Sequence, residues 1–568
     1  MAHIEEIAFP KLTSAEIAHI RTMATPCDYA DGQVLFPAGT PNVDFYVVES
    51  GGVEIRNPSD DNRLIVVHDP GQFSGDIDLL TGRPVIVTAT ARGPTRILRV
   101  PNGQLRALLN RVPTLGEKLI IAFTRRRELL VGLGTLGLRV VGPARCRDTN
   151  TVREFLYKNF VPFTSFDTET LAGQKIFAEL GSPRKSPVID CGHGQVLVNP
   201  SLQELASAAG IWQHCPSQGV DLAIVGAGPA GITAAVYASS EGLSTLALDK
   251  VGPGGQASGS SRIENFIGFP AGLSGADLAM RGVLQMLKFG ARMVAPVEVK
   301  KLVPASSDDD THALHLDCGA EIRCRVLLLA LGVRWRQLEA AGADRFVGGG
   351  VYYACTTVEA DLYDKADVAV VGSGNSAGQA AMFLAECCPL RKVHLLIRKK
   401  LGSGMSDYLS QRVRETANIE IREQTEIAAV HGNRHIETIT LRSNAAKTET
   451  SIPCAAVFVF IGAEPAATWL PPEIARDNNG YLLTGTDVIR SGLWKRTDRD
   501  PCPLETTVPR ILAAGDIRAG STKRVGFAVG DGALAVTCAH RLISIAPNSL
   551  EEGESLYRAN RVTRLVSA

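Results

Sequence analysis

Asp221-Leu-Ala-Ile-Val-Gly-Ala-Gly-Pro-Ala-Gly231 decides the fold of the larger part of this chain. An apolar run of strand length enters a turn with glycine at 226, 228 and 231, and the stretch Ile232–Ser240 that follows has helical composition. Each glycine has a task. Gly226 makes the tight turn, Gly228 lets the backbone approach a pyrophosphate closely, and Gly231 lets helix and strand pack together. Pro229 and Ala230 belong to the turn ahead of the helix, whose unpaired N–H groups and partial positive charge face the phosphates. The next strand, Ser244–Leu248, ends at Asp249, which can accept hydrogen bonds from a ribose diol.

The same order recurs about 145 residues later. Asp367-Val-Ala-Val-Val371 leads into Gly372-Ser-Gly-Asn-Ser-Ala377, a helix over Gly378–Ala385 and a strand over Lys392–Ile397. This strand ends in Arg398-Lys399-Lys400 where the first round has Asp249. Clustered positive charge suits a ribose that carries a 2′-phosphate. The second turn, through Gly372, Gly374, Asn375, Ser376 and Ala377, therefore reads as an NADPH site, and the first as the site of a different dinucleotide, FAD.

Bulk properties set limits on the rest. A length of 568 residues predicts roughly three or four domains. Lys+Arg and Asp+Glu are both 59, so no global field attracts nucleic acid or an anionic membrane. The amino terminus lacks a basic region followed by an apolar run, and Val326–Leu331 is too short to span a bilayer. A cytoplasmic location is expected. The 12 cysteines show no metal-type Cys-x-x-Cys pairs, so no metal is expected and most should be buried thiols.

The pattern ahead of the duplicated region differs. Phe45–Val48, Val53–Ile55 and Leu64–Val67 read as short strands between turn residues. After Pro101 the apolar spacing becomes helical. Residues 138–212 read as βαβαββα, with strands at Leu138–Val141, Val161–Phe166, Val188-Ile189 and Gln195–Val198 and helices at Thr151–Asn159, Thr170–Leu180 and Ser201–Ala209. The predicted organisation is multidomain: 1–137, 138–215, an FAD domain split between 216–333 and 463–545, an NADPH-binding domain at 334–462, and a tail at 546–568.

From about 219 to 540 the chain resembles the low-molecular-weight thioredoxin reductases. Gly254-Gly255-Gln256 and Glu264-Asn265 match their flavin-contacting loops, Ala330-Leu-Gly-Val333 and Ile461-Gly-Ala-Glu-Pro465 their interdomain segments, and Ala514-Gly515-Asp516 the late motif whose Asp binds the FAD ribityl chain. The resemblance also marks Lys523, Arg524 and Val525, at the start of the helix carrying Ala528–Gly532, as FAD contacts. It implies two Rossmann-like domains that rotate against each other, and a homodimer. One departure matters. Those enzymes carry a redox Cys-x-x-Cys just before the second glycine turn. Tyr353-Ala-Cys-Thr-Thr357 stands there, with Ala354 and Thr357 at the two cysteine positions and Cys355 one place off. Cys355 is either a reactive thiol or a small buried apolar residue.

Residues 20–135 resemble the β-roll cyclic-nucleotide-binding domains. Gly71-Gln-Phe-Ser-Gly75-Asp76-Ile-Asp-Leu-Leu80 corresponds to their phosphate-binding stretch, with Asp76 in place of a ribose-binding Glu. Val85 or Ile86 falls where the resemblance implies a phosphate-binding Arg, and Arg83 is the candidate substitute. Either a cyclic nucleotide sensor or a ligand-free docking module fits. No helix-turn-helix follows, which argues against a transcription factor. Residues 138–212 look like a thioredoxin or glutaredoxin fold, with Cys146-Arg-Asp-Thr149 at the redox loop and Ser186-Pro187, expected cis, facing it. Cys146 could be a one-thiol relay at a helix amino terminus, or the domain could serve docking or dimerisation.

The function expected is hydride transfer from NADPH to FAD and onward to an unidentified acceptor: a disulfide through Cys146 or Cys355, a quinone, oxygen or an iron–sulfur protein. The alternative is a non-catalytic redox or nucleotide sensor signalling through the front domains.

Overall fold

The computed structural model describes residues 7–545 except 59–60, 133–136, 193, 214, 217 and 403. The tail at 546–568 lies outside the described residues. The chain divides into two compact units: one of 1–212, 251–290 and 334–464, the other of 213–250, 291–333 and the residues from 465 onward.

In the first unit, the front domain is an antiparallel β-roll. Phe45–Asn57 and Thr88–Val100, 13 residues each, pair along their length, with Arg63–His68 beside the first and Thr25–Tyr29 and Val34–Phe36 beside the second. The sequence pattern splits 45–57 into two strands. It is one strand with register shifts around Gly51, where φ is +80° and a methyl group would fall 2.5 Å from the Pro94 carbonyl oxygen. Phe45, Phe73 and Phe123 meet at tilted and edge-on angles in the core. Phe123 comes from the helix Pro113–Gly132, which follows Asn102–Arg111 and closes the roll.

Residues 138–212 have the predicted βαβαββα order, on a mixed sheet in the order Phe163–Asp167, Leu138–Gly142, Val188–Asp190, Val196–Val198. The first helix begins at Arg147, four residues earlier than expected, because extended Cys146 is its N-cap. The Ser186–Pro187 peptide is cis.

The remainder of the first unit contains a parallel five-stranded sheet. Val368–Val371 lies between Val393–Ile397 and Ala456–Val459, with Ile419–Glu423 and Val351–Tyr352 at the edges. All four residues of the central strand are buried, as a strand covered on both faces requires. A three-stranded antiparallel sheet, Thr425–His431, Thr438–Ser443 and Glu449–Pro453, adjoins it in sequence. The second unit is built on a seven-stranded sheet. Its parallel part places Val220–Val225 between Thr245–Leu248 and Glu321–Leu329, and Ile511–Ala513 pairs with the last of these. Each glycine-rich turn thus leaves a central strand of a Rossmann-type sheet. Among the described residues no helix is long and apolar enough to cross a membrane.

Candidate functional site

In the second unit, the Gly226–Gly231 turn has the close contacts its glycines predict. Gly226 has φ +104°, and a methyl group there would fall 2.3 Å from the Ala330 carbonyl oxygen. At Gly231 the same group would lie 1.9 Å from the Gly226 carbonyl oxygen. The helix Pro229–Ser240 starts from extended Gly228 with no side chain capping it, so its leading N–H groups are left for an anion. Asp249 accepts a hydrogen bond from the Ala227 N–H at 2.8 Å, which ties the ribose-type acid to the turn.

Gly515 packs against Ala230, 3.2 Å from a methyl built on it, so Asp516 stands beside the same helix start. Burial raises the Asp516 carboxyl and the Lys523 charge opposes the rise. Lys523 donates to the Asp516 carbonyl oxygen at 2.6 Å and lies 4.0 Å from the Tyr481 ring centroid. Arg524 and Val525 lead into the helix Val525–Ile545. Asp531, within the Ala528–Gly532 stretch but not itself named as a contact there, accepts from the Gly515 N–H at 2.9 Å and pairs with Arg518, also at 2.9 Å. An uncapped helix start, a ribose-type acid and a second half-buried carboxyl beside the turn fit the pyrophosphate, ribose and polyol of FAD.

In the first unit, Gly254 and Gly255 both have positive φ, and a methyl at Gly254 would fall 2.7 Å from Ser258 Cβ. Gln256, Trp335, Tyr353, Ala354, Cys355, Ser376 and Phe460 are among the residues lining a cavity of about 40 Å³. That is room for a water or a few, not for a nucleotide ring. Asn265 is exposed, and its neighbour Glu264 pairs with Arg412 at 3.0 Å.

The second glycine turn resembles the first. Gly372 has φ +147°, a methyl there would fall 2.5 Å from the Phe460 carbonyl oxygen, and Gly374 is an extended N-cap without a capping side chain. The helix starts at Asn375, earlier than expected. Asn375 Oδ1 accepts from the Ser406 N–H at 2.7 Å and its hydroxyl at 3.0 Å, and Ala377 is buried behind the turn. Arg398, Lys399 and Lys400 are exposed just past Val393–Ile397, with the Arg398 guanidinium 3.9 Å from Glu426.

The two cysteines differ. Cys355 is buried, and burial, reinforced by nearby Glu359, holds its thiol well above the usual range. Cys146 is half-buried at the start of its helix. The surroundings of Cys146 are engaged with 348–363. Asn150 donates to the Gly348 carbonyl at 2.7 Å, Arg153 to Val358 at 3.3 Å, and the Arg145 guanidinium lies over the Tyr363 ring.

In the front domain, Gly75 has φ +113°, and Asp76 and Asp78 converge on buried Arg127, Asp76 at 2.7 Å. Burial pushes the Asp76 carboxyl up to about 6, against the pull of Arg127. Arg126 donates to the Gly75 carbonyl at 2.7 Å. Arg83 donates to the Asn159 carbonyl at 2.7 Å, and burial lowers its guanidinium to about 10. Arg126 and Arg127 sit in a helix about fifty residues beyond Asp76, and sequence reasoning missed them.

Residues 220–553 match the family model of pyridine nucleotide-disulphide oxidoreductases, and residues 26–112 that of the cyclic nucleotide-binding domain. The chain is 29% identical over 328 residues to thioredoxin reductase of Treponema pallidum, covering 58% of this chain and 98% of that one. It is 30% identical over 324 residues to the 34.2 kDa protein in the rubredoxin operon of Clostridium pasteurianum, covering 57% and 97%. The crystal structure of T. acidophilum thioredoxin reductase shares the fold at a TM-score of 0.50 and 24% identity, over 58% of this chain and 99% of that one. The chain belongs to the pyridine nucleotide-disulphide oxidoreductase family, as an NADPH-dependent FAD oxidoreductase with a cyclic nucleotide-binding domain in front.

Proposed function

We propose that this enzyme delivers electrons from NADPH to an acceptor without a protein dithiol, so that its acceptor is not thioredoxin reached by the usual route. The segment 353–357 carries the reading. It lines the cavity beside Gln256 with Ala354 and a buried Cys355 whose thiol is held protonated, and it ends in Thr357. A bound FAD would supply hydride acceptance from NADPH and one- or two-electron donation to the acceptor. The chain's part is to bind and orient. The uncapped helix starts at Gly228 and Gly374 would receive the pyrophosphates, Asp249 and Asp516 the FAD hydroxyls, and Arg398, Lys399 and Lys400 the 2′-phosphate. A small iron–sulfur protein, a quinone, oxygen or a disulfide are the acceptor classes to compare. Anaerobic NADPH should bleach the yellow full-length protein, and one of these acceptors should restore the colour with turnover. Bleaching that no acceptor reverses would instead support a sensor.

The thioredoxin-like reading of 138–212 goes with this proposal as a docking module rather than a thiol relay. Three side chains around Cys146 are spent on contacts to 348–363. The front domain likewise reads as a weak ligand binder. The carboxyl placed for a ribose is already paired with Arg127, and the substitute arginine is committed to Asn159. Calorimetry with cyclic AMP should therefore show no binding at micromolar concentrations. Micromolar or tighter affinity that disappears in Arg83→Ala would restore Arg83 as the phosphate ligand.

A further inference from the structure

We propose that Asn159, far outside the stretch matched by the reductase family, is a positioning residue for the flavin-contacting loop, and that Arg83 secures it. The inference rests on FAD binding as read above. Asn159 ends the helix Arg147–Lys158 and is fully buried. Its Nδ2 donates to two carbonyls: Phe155 of its own helix at 2.9 Å and Val251 at 2.9 Å. Val251 and Gly252 connect Asp249 to Gly254-Gly255-Gln256, the loop that resembles the flavin contact of the family.

Two further contacts fasten this segment to the 138–212 region, and two more hold that region to the front domain. The Val251 side chain packs against the apolar core of 138–211. Gly252 approaches Asn159 so closely that a methyl group would fall 2.6 Å from Nδ2. The Asn159 carbonyl accepts the Arg83 guanidinium at 2.7 Å, and next to it Pro84 abuts Gly210, where a methyl would fall 2.0 Å from Pro84 Cδ. Meanwhile Asn159 Oδ1 is buried with no hydrogen-bond partner among the described residues. A helix end alone does not need an amide there, since an exposed polar residue or a glycine ends a helix without burying an unpaired oxygen. The Nδ2 donation to Val251 gives the buried amide a use. Front domain, middle domain and flavin loop are thus linked in series through Arg83, Asn159 and Val251.

The test uses the full chain and isosteric Asn159→Asp, which turns an acceptor toward two carbonyls, beside Asn159→Ala, Arg83→Ala and Arg83→Lys. FAD affinity is read by flavin release on dilution, and the flavin environment by its visible absorbance and circular dichroism bands. Asn159→Asp should raise the FAD dissociation constant at least about tenfold and blur the flavin bands. Arg83→Ala should raise it by roughly threefold, and Arg83→Lys should restore it. If Asn159→Asp folds, by far-ultraviolet circular dichroism, and keeps wild-type flavin affinity and bands, the inference is wrong. If it does not fold, Arg83→Ala decides instead, and unchanged flavin affinity and bands in that variant overturn the link. A lowered melting temperature with an untouched flavin would mark Asn159 as a helix cap only. A wild-type flavin that NADPH fails to bleach would sink the proposed function while leaving this comparison intact, and a wild type that never holds flavin would sink both.

Discussion

Replacing both Arg398 and Lys399 by neutral residues will raise the NADPH concentration needed for half-maximal flavin reduction by at least about a hundredfold, with little change for NADH. Each lost charge-assisted hydrogen bond to a phosphate is on the order of 1.5–3 kcal/mol, and each 1.4 kcal/mol is tenfold in affinity. These side chains can be recruited at little cost. The Arg398 side chain is 74% exposed and its nearest ionic partner, Glu426, is 3.9 Å away and itself on the surface. Such a surface pair contributes little, so exchanging it for a phosphate loses almost nothing. The strand Val393–Ile397 is fully buried and parallel to its neighbours, which fixes where the basic triplet emerges relative to Gly372 and Gly374. Anaerobic stopped-flow reduction against NADPH and NADH is the measurement. An unchanged NADPH dependence in the double variant would place the phosphate site elsewhere.

The duplicated strand–turn–helix was legible because its physics is local. A glycine whose added methyl would strike the Gly226 or Phe460 carbonyl is needed whatever surrounds the domain, and the four- to six-residue buried strands leave a continuous apolar signal. Both helices start about three residues ahead of where the apolar pattern places them, since Pro229 and Asn375 already have helical conformation inside what reads as the loop. The βαβαββα order of 138–212 was legible for the same local reason. What could not be read were pairings over long separations. Arg127 reaches Asp76 and Asp78 from a helix whose pattern signals only an apolar stripe. Asp531 holds Gly515 from within another helix. Asn159 meets Val251 across 92 residues, with no motif at either end. Each is a buried polar contact that any donor or acceptor of the right reach would serve, so residue type alone does not announce it.

The front domain illustrates how an ionic network changes the reading of a motif. Its Gly75-Asp76 segment keeps the turn, with φ +113° and Leu79 pressed against Gly75. The acid, however, is neutralised from inside by Arg127. A buried carboxylate needs a partner, and a partner supplied by the chain itself competes with any ligand that would use the same oxygens. Arg83 is spent in the opposite direction, on the Asn159 carbonyl. The two groups that the resemblance would give to a nucleotide are thus engaged within the chain, Asp76 with Arg127 and Arg83 with the Asn159 carbonyl.

Thioredoxin will not be reduced efficiently by this enzyme. Sending two electrons from a protein dithiol to a partner disulfide takes two sulfurs. One thiolate attacks a partner sulfur, forming a mixed disulfide and expelling the partner's other sulfur as thiolate. The second thiolate then attacks the mixed disulfide and releases the reduced partner, leaving an enzyme disulfide to be reduced again. Ala354 and Thr357 offer no sulfur. Cys355 is 1% exposed and burial holds its thiol well above the usual range, so it supplies almost no thiolate and no approach for a protein partner. Cys146 is half-buried at a helix start, but Arg145, Asn150 and Arg153 around it are bound to 348–363. NADPH-driven reduction of thioredoxin by the wild type, set beside Cys146→Ser and Cys355→Ser, decides the matter. The expected wild-type rate is at background. Robust turnover lost in either variant would reveal an interdomain relay through that cysteine. Turnover surviving in both would place the redox centre on sulfurs other than these two, and the dithiol-free reading of the enzyme would fall with it.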